Sequence, residues 1–248
     1  MKLSDLLYAI EQIAETKGIS TPYIVGGLAR DRLLDRLEEI NDVDITTGDA
    51  GIHSLSREMA ARLGDQIVYN VMSDGHSTIK IGELKLDFSS NFRIPGIVEI
   101  LEKGGVPNPT EMKKELYSRD FTCNTALMSL DLKTITDPTG LAINDINQKI
   151  LKTCLDPDIT LGYDNMRIIR IVYLSAKLDF DVDPEIIDWV RKRPELVANA
   201  RDKYLIKKIN KSLLYNKDRT IEMLDAMNLW PHIPPTKELI PYMDNRRM

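Results

Sequence analysis

Residues 22–48 read PYIVGGLARDRLLDRLEEINDVDITTG, and the fold turns on them. The apolar run Tyr23 to Val25 ends in Gly26-Gly27, a helical stretch from Leu28 to Leu37 begins at once, and Asp42-Val43-Asp44 opens a second apolar run. Two glycines at a strand-to-helix corner let the backbone come close to a ligand and leave free N–H groups at the helix start, which suits a phosphate. If Asp42 to Ile45 is a strand, its side chains alternate. Asp42 and Asp44 then share one side, roughly 6–7 Å apart, and Val43 and Ile45 enter a core on the other. Paired carboxylates beside a phosphate corner suit two magnesium ions, which take hard oxygen ligands and complete their shells with water and substrate phosphates. Alone, a glycine pair is a turn and an Asp-x-Asp a solvated strand start. The combination, with Arg30-Asp31 one turn into the helix, is what points to catalysis.

The 248 residues suffice for one large domain or two small ones, and 43% hydrophobic with 29% charged residues is the balance of a soluble globular protein. Cys123 and Cys154 form neither a disulfide framework nor a zinc pattern, so a reducing, cytoplasmic setting is expected. The N-terminus reads as an amphipathic helix rather than a signal peptide, and no apolar run approaches a membrane span, so no membrane partner is expected. Net charge is −5, unevenly spread: −7 over residues 1–149 and +2 over 150–248. Arg191 to Lys217 holds nine basic residues against Glu195 and Asp202. That stretch, with Lys207, Lys208 and Lys211 at its centre, reads either as an RNA-binding surface or as a solvated helix face.

Helical spacing marks Lys2 to Lys17, stopped by Gly18, and Ile52 to Leu63, stopped by Gly64. Gln66 to Tyr69 and Ser77 to Ile81 read as strands, and Gly82-Glu83 turns the latter into Leu84 to Phe88 as a hairpin. In that last strand Lys85 and Asp87 alternate with Leu84, Leu86 and Phe88, so Asp87 faces away from the core. Spacing alone makes Asp87 an ordinary strand-end residue. Ser89 to Pro109 reads as a long connection, and from Cys154 onward the pattern is helical with no convincing strand. One helix is predicted from the Leu161–Arg170 segment through Leu178, with Asp164 and Arg167 as neighbours three apart and Arg170 a turn beyond. Asp183-Pro184 opens another, and Arg201 to Leu214 forms a basic amphipathic one.

VGGLARDRLL followed by DVDIT resembles the head-domain signature of the class II tRNA nucleotidyltransferase (CCA-adding enzyme) and bacterial poly(A) polymerase family. Further matches are Arg119, Asp120, Phe121, Thr122, Asn124 and Ala126, with Ser118 in place of the family's first arginine, and the Asp137-Pro138-Thr139-Gly140 turn. The resemblance implies an α+β fold. A polymerase-beta-like nucleotidyltransferase head of mixed sheet and helices (residues 1–140) precedes an all-helical neck and shortened body (residues 141–248). It implies template-independent addition of CMP or AMP, from CTP and ATP, to the 3′ end of tRNA or another RNA, with Mg2+ (two ions) as cofactor.

On that resemblance, Asp42, Asp44 and Asp87 are the catalytic carboxylates, the first two binding metal and Asp87 assisting the attacking hydroxyl. Gly26, Gly27, Arg30, Arg119 and Arg170 serve the triphosphate, while Asp164 and Arg167 read the incoming base as a protein template. Tyr163 stands where the template's glutamate is expected and Tyr173 where an arginine is usual, which bears on base choice. CCA addition, CC- or A-addition and poly(A) synthesis all remain open, as does a retired relative that only binds RNA. The oligomeric state is not legible.

Overall fold

The structure is a computed structural model, and it describes residues 2–36, 40–73, 75–89, 93–235, 237 and 239–243. The chain divides into two compact units, Met1–Ile146 and Asn147–Met248.

The first unit opens with α1 (Leu3–Lys17), which buries Leu6, Leu7, Ile10, Ile13 and Ala14 along one stripe. Gly18 stops it in the left-handed conformation, at φ 63°, with its N–H turned back to the last carbonyls. There follow β1 (Tyr23–Val25), α2 (Gly27–Leu33), β2 (Asp42–Thr46), α3 (Gly51–Leu63), β3 (Val68–Val71), β4 (Ser77–Ile81) and β5 (Leu84–Phe88). Then come α4 (Ile97–Lys103), α5 (Glu111–Tyr117), β6 (Leu127–Met128), β7 (Ile135–Thr136) and α6 (Ala142–Asn147).

The strands form one seven-stranded mixed sheet in the order β3-β4-β5-β2-β1-β6-β7. β2 and β5 pair in parallel, and every other pair is antiparallel. One face is apolar: Ile24, Val43, Ile45, Ile79, Leu86 and Phe88 pack with Leu6, Ile10, Ile52, Leu55 and Met59 from α1 and α3. On the other face a small cluster of Val25, Leu127 and Leu116 seats α5 over the β1–β6 pair.

Some expectations shift. The third strand lies at Val68–Val71, two residues later than Gln66 to Tyr69, because a single 3-10 turn, Gly64–Gln66, follows α3. The connection from Ser89 to Pro109 holds α4; its residues 90–92 lie outside the described chain. α2 ends at Leu33, and Leu37 is likewise outside it.

The second unit has β8 (Ile150–Leu151), α7 (Pro157–Tyr163), α8 (Met166–Leu178), β9 (Asp181–Val182), α9 (Pro184–Arg191), α10 (Asp202–Tyr215), α11 (Lys217–Ala226) and α12 (Ile240–Met243). It is helical apart from β8 and β9, which pair in parallel, and β9 corrects the reading of no strand after Cys154. The long helix predicted across Leu161 to Leu178 is two helices. Asp164 breaks it with extended backbone at φ −138° and ψ 97°, and its carboxylate accepts from the Met166 N–H at 3.0 Å to start α8. Apolar spacing continues across the break, so periodicity alone does not reveal it. Asp183 caps α9 through the Glu185 N–H at 2.9 Å. No helix among the described residues is long and apolar enough to cross a membrane.

Candidate active site

Register assembles the site. Along the parallel β2–β5 pair, Asp42 stands opposite Lys85 and Asp44 opposite Asp87. Alternation sends all four to the sheet face that α1 and α3 leave free, at the corners of a rectangle of about 5 by 7 Å. The intervening Val43, Leu86 and the following Ile45 and Phe88 are at most 1% exposed. The three sequence-predicted carboxylates therefore meet, and the fourth corner is a lysine.

Lys85 Nζ bonds to Asp87 Oδ2 and lies 3.5 Å from Asp42 Oδ1. Burial alone would lower its pKa, but the bond to Asp87 and the charges of Asp42 and Asp44 outweigh that and raise it. Thr78, opposite Asp87 on β4, donates its hydroxyl to Asp87 Oδ1 at 2.7 Å. Both Asp87 oxygens are thus engaged, while the Asp42 side chain stays 67% exposed. Burial lifts the Asp44 carboxyl to about 6. The neighbouring Asp42 and Asp87 push the same way, against Arg119 and Lys85.

The glycine corner lies against Asp44. Gly26 has φ 78°, and a Cβ built there would meet Asp44 Oδ2 at 2.9 Å and Arg119 Nη1 at 3.8 Å. Only glycine fits that backbone and that approach. Gly27, first residue of α2, has no such demand; a Cβ there would meet Arg30 Nη2 at 3.5 Å. Arg30 is buried and its guanidinium is committed inward, to Asp31 Oδ1 at 2.7 and 2.8 Å and to Asn124 Oδ1 at 2.7 Å. Asn124 in turn donates to Asp120 Oδ1 at 3.0 Å. Arg30 therefore braces the corner from behind, tying α2 to the turn after α5. That turn is a 3-10 turn over Thr122–Asn124, and Asp120 accepts from the Phe121 N–H at its start.

Arg119 is aimed by α5. Its Nη2 donates to Glu115 Oε1 at 2.8 Å, and the other oxygen of Glu115 accepts the Thr46 hydroxyl from the end of β2. Glu115 is only 2% exposed. Ser118, where the family has arginine, is fully buried and accepts from the Ile94 N–H at 3.0 Å.

In the second unit Asp164 and Arg167 are brought together. Asp164 Oδ2 lies 3.6 Å from Arg167 Nε, and Arg167 Nη1 donates to the Thr160 carbonyl at 3.3 Å. Arg167 is buried, Arg170 half-buried one turn on, and Tyr163 exposed. The basic helix splits by face. Lys207 and Lys211 are exposed, whereas the Lys208 ammonium lies 4.2 Å over the Tyr173 ring. Tyr215 meets Tyr173 edge-on at 5.9 Å.

Among the described residues no three His, Cys, Asp or Glu side chains converge on one cation position. Asp42 and Asp44 still fit magnesium, which needs one or two carboxylates when water and phosphate oxygens supply the rest. Sequence reading passed over Lys85, Thr78, Glu115 and Thr46. The alternation in LKLDF already placed Lys85 on the face of Asp87, but the parallel register that carries it to Asp42 is a tertiary fact.

Three comparisons bear on this arrangement. The model of the Poly A polymerase head domain family matches residues 22–152, over half of the chain. The A-adding tRNA nucleotidyltransferase of Aquifex aeolicus (strain VF5) is 30% identical over 217 residues, 82% of this chain and 24% of that protein. The CCA-adding enzyme of Bacillus pumilus (strain SAFR-032) is 28% identical over 218 residues, 86% of this chain and 51% of its own length. A crystal structure of a tRNA nucleotidyltransferase complexed with a primer tRNA and an incoming ATP analog superposes with a TM-score of 0.63 at 29% identity, covering 87% of this chain and 58% of that one. The chain thus spans about half or less of the curated relatives quoted. With the glycine corner and the Asp42, Asp44 and Asp87 face inside the matched residues, the chain belongs to the Poly A polymerase head domain family.

Proposed function

We propose that this chain is an RNA nucleotidyltransferase that moves a nucleoside monophosphate from CTP or ATP onto the 3′-hydroxyl of an RNA, a tRNA being the acceptor, with release of pyrophosphate. One observation carries the reading: Asp42, Asp44 and Asp87 share one face beside a corner that only Gly26 can make. The names of the relatives quoted above support the same chemistry.

In this reading Asp42 and Asp44 hold the magnesium ions, which when bound neutralise triphosphate charge and stabilise the attacking and leaving oxygens. Asp87 orients the attacking 3′-hydroxyl and accepts its proton. Arg119, aimed by Glu115, offers paired N–H donors to the triphosphate across the Gly26 and Gly27 backbone, and Arg170 adds charge from α8. Arg30 acts indirectly, by holding the corner. Asp164 accepts and Arg167 donates, so together they complement the mixed edges of cytosine and adenine; uracil and guanine leave groups unpaired, at a cost of roughly 1–3 kcal/mol. Lys207 and Lys211 contact RNA phosphates, with Lys208 behind them. We place the activity in the cytoplasm, where the buried thiols Cys123 and Cys154 stay reduced.

The test is single-nucleotide incorporation into tRNAs trimmed at the 3′ end, with each of the four triphosphates in magnesium. CTP and ATP should be preferred, the preference should vanish in Asp164→Ala and Arg167→Ala, and Asp42→Ala or Asp44→Ala should abolish addition in a folded protein. Equal use of all four triphosphates by the unmodified chain overturns the base-reading role. Normal turnover by either carboxylate variant overturns the site.

A further inference from the structure

We infer that Lys85 is an internal cation that competes with a divalent ion for the Asp42–Asp87 edge of the site. The inference rests on the metal-binding reading of Asp42 and Asp44. Of the rectangle's corners, three are carboxylates and the fourth is Lys85, placed by register opposite Asp42 and by alternation on the face of Asp87. Its ammonium touches both, bonding Asp87 Oδ2 and standing 3.5 Å from Asp42 Oδ1.

Two consequences follow from elementary electrostatics. The ammonium neutralises part of the negative charge that would attract a divalent ion. It also occupies one oxygen of Asp87 while Thr78 occupies the other, which withholds Asp87 from any cation bound at Asp42 and Asp44. A divalent ion that recruits Asp87 must displace the lysine. Lys85 is built for displacement, since its side chain is 36% exposed and a lysine's flexible stem can carry the charge out to water. Lys85 thus sets a threshold: metal alone is held weakly, and Asp87 is released only when enough positive charge arrives to replace the ammonium.

The probe is manganese(II) alone, titrated into the full chain and followed by the EPR signal of the free ion, with no nucleotide and no turnover. Lys85→Met and Lys85→Gln should bind manganese roughly tenfold or more tightly than the unmodified chain, because a unit positive charge 3.5 Å from Asp42 Oδ1 has been removed. Lys85→Arg, which keeps the charge, should stay within a fewfold of it. In the unmodified chain, acylation of Lys85 by an amine-reactive reagent should speed up when magnesium is added. This second readout does not depend on any variant folding. Manganese binding by the unmodified chain with no gain in either neutral variant overturns the Lys85 inference and leaves the metal reading intact. Absence of binding in all forms overturns both. Binding by the neutral variants alone supports the inference in its strongest form, a lysine that excludes the ion.

Discussion

Asp44 is held against its own solvation. Its carboxyl is raised to about 6 by burial, with Asp42 and Asp87 adding repulsion. The folded value lies above the unfolded one, so the stability linked to this group is fully present below about pH 4 and is lost as pH rises through about 6. Asp44→Asn should therefore stabilise the chelator-treated protein at pH 8, by roughly 1–3 kcal/mol, and have little effect at pH 4. Thermal unfolding at the two pH values measures this, and a variant destabilised at pH 8 contradicts the account. A carboxylate proposed to hold metal would then be one that weakens the fold, as functional sites do. Asp42 and Asp44 were legible because a strand's period of two needs only local sequence. Glu115 was not, because its partners Thr46 and Arg119 converge only after α5 docks on Val25 and Leu127.

Among the elements, α5 and α10 show how a helix assigns jobs by face. Through Glu115, α5 fixes Arg119 beside Asp44 and at the same time ties down the end of β2. Glu115→Gln keeps the shape but removes the charge that aims the guanidinium, a charge-assisted bond of roughly 1.5–3 kcal/mol. The expected result is a raised KM for the nucleoside triphosphate with RNA affinity unchanged; an unaltered KM would show that Arg119 is positioned by other contacts. On α10, Lys207 and Lys211 reach solvent, but Lys208 turns toward Tyr173 on α8. Lys207→Gln with Lys211→Gln should flatten the salt dependence of RNA binding by roughly one unit of slope per lysine. Lys208→Met should leave that slope alone and cost about 0.5–1 kcal/mol of stability through the lost cation–π contact. If all three lysines change the slope alike, the division by face is wrong. The sequence marks a basic amphipathic helix, but which lysine stacks on an aromatic ring depends on a neighbour some 35 residues away, Tyr173 against Lys208. The α7–α8 break escaped notice for the opposite reason: it is local, yet Asp164 interrupts the backbone without interrupting the apolar spacing.

At the scale of the whole molecule, the charge is divided between an acidic first stretch and a basic second one. Residues 1–149 carry −7 and residues 150–248 carry +2, so under the proposed function metal and RNA would be drawn to different parts of the chain. The order of helices and strands in the first unit could be read from period and punctuation. The sheet order could not, because β2 lies between β1 and β5, and only the pairing says so. That pairing carries a kinetic consequence. Asp42 and Lys85 are 43 positions apart along the chain, and parallel strands this far apart close late, after local helices and the β4–β5 hairpin. During refolding, far-ultraviolet circular dichroism should recover before nucleotide addition does, with incorporation returning only as fast as the β2–β5 ladder forms. A one-residue slip of β2 against β5 would turn Val43 and Ile45 to water and Asp42 and Asp44 to the core. A chain in the wrong register therefore fails to fold rather than folding inactive, and every molecule that completes its sheet has also brought Asp42, Asp44 and Asp87 to one face.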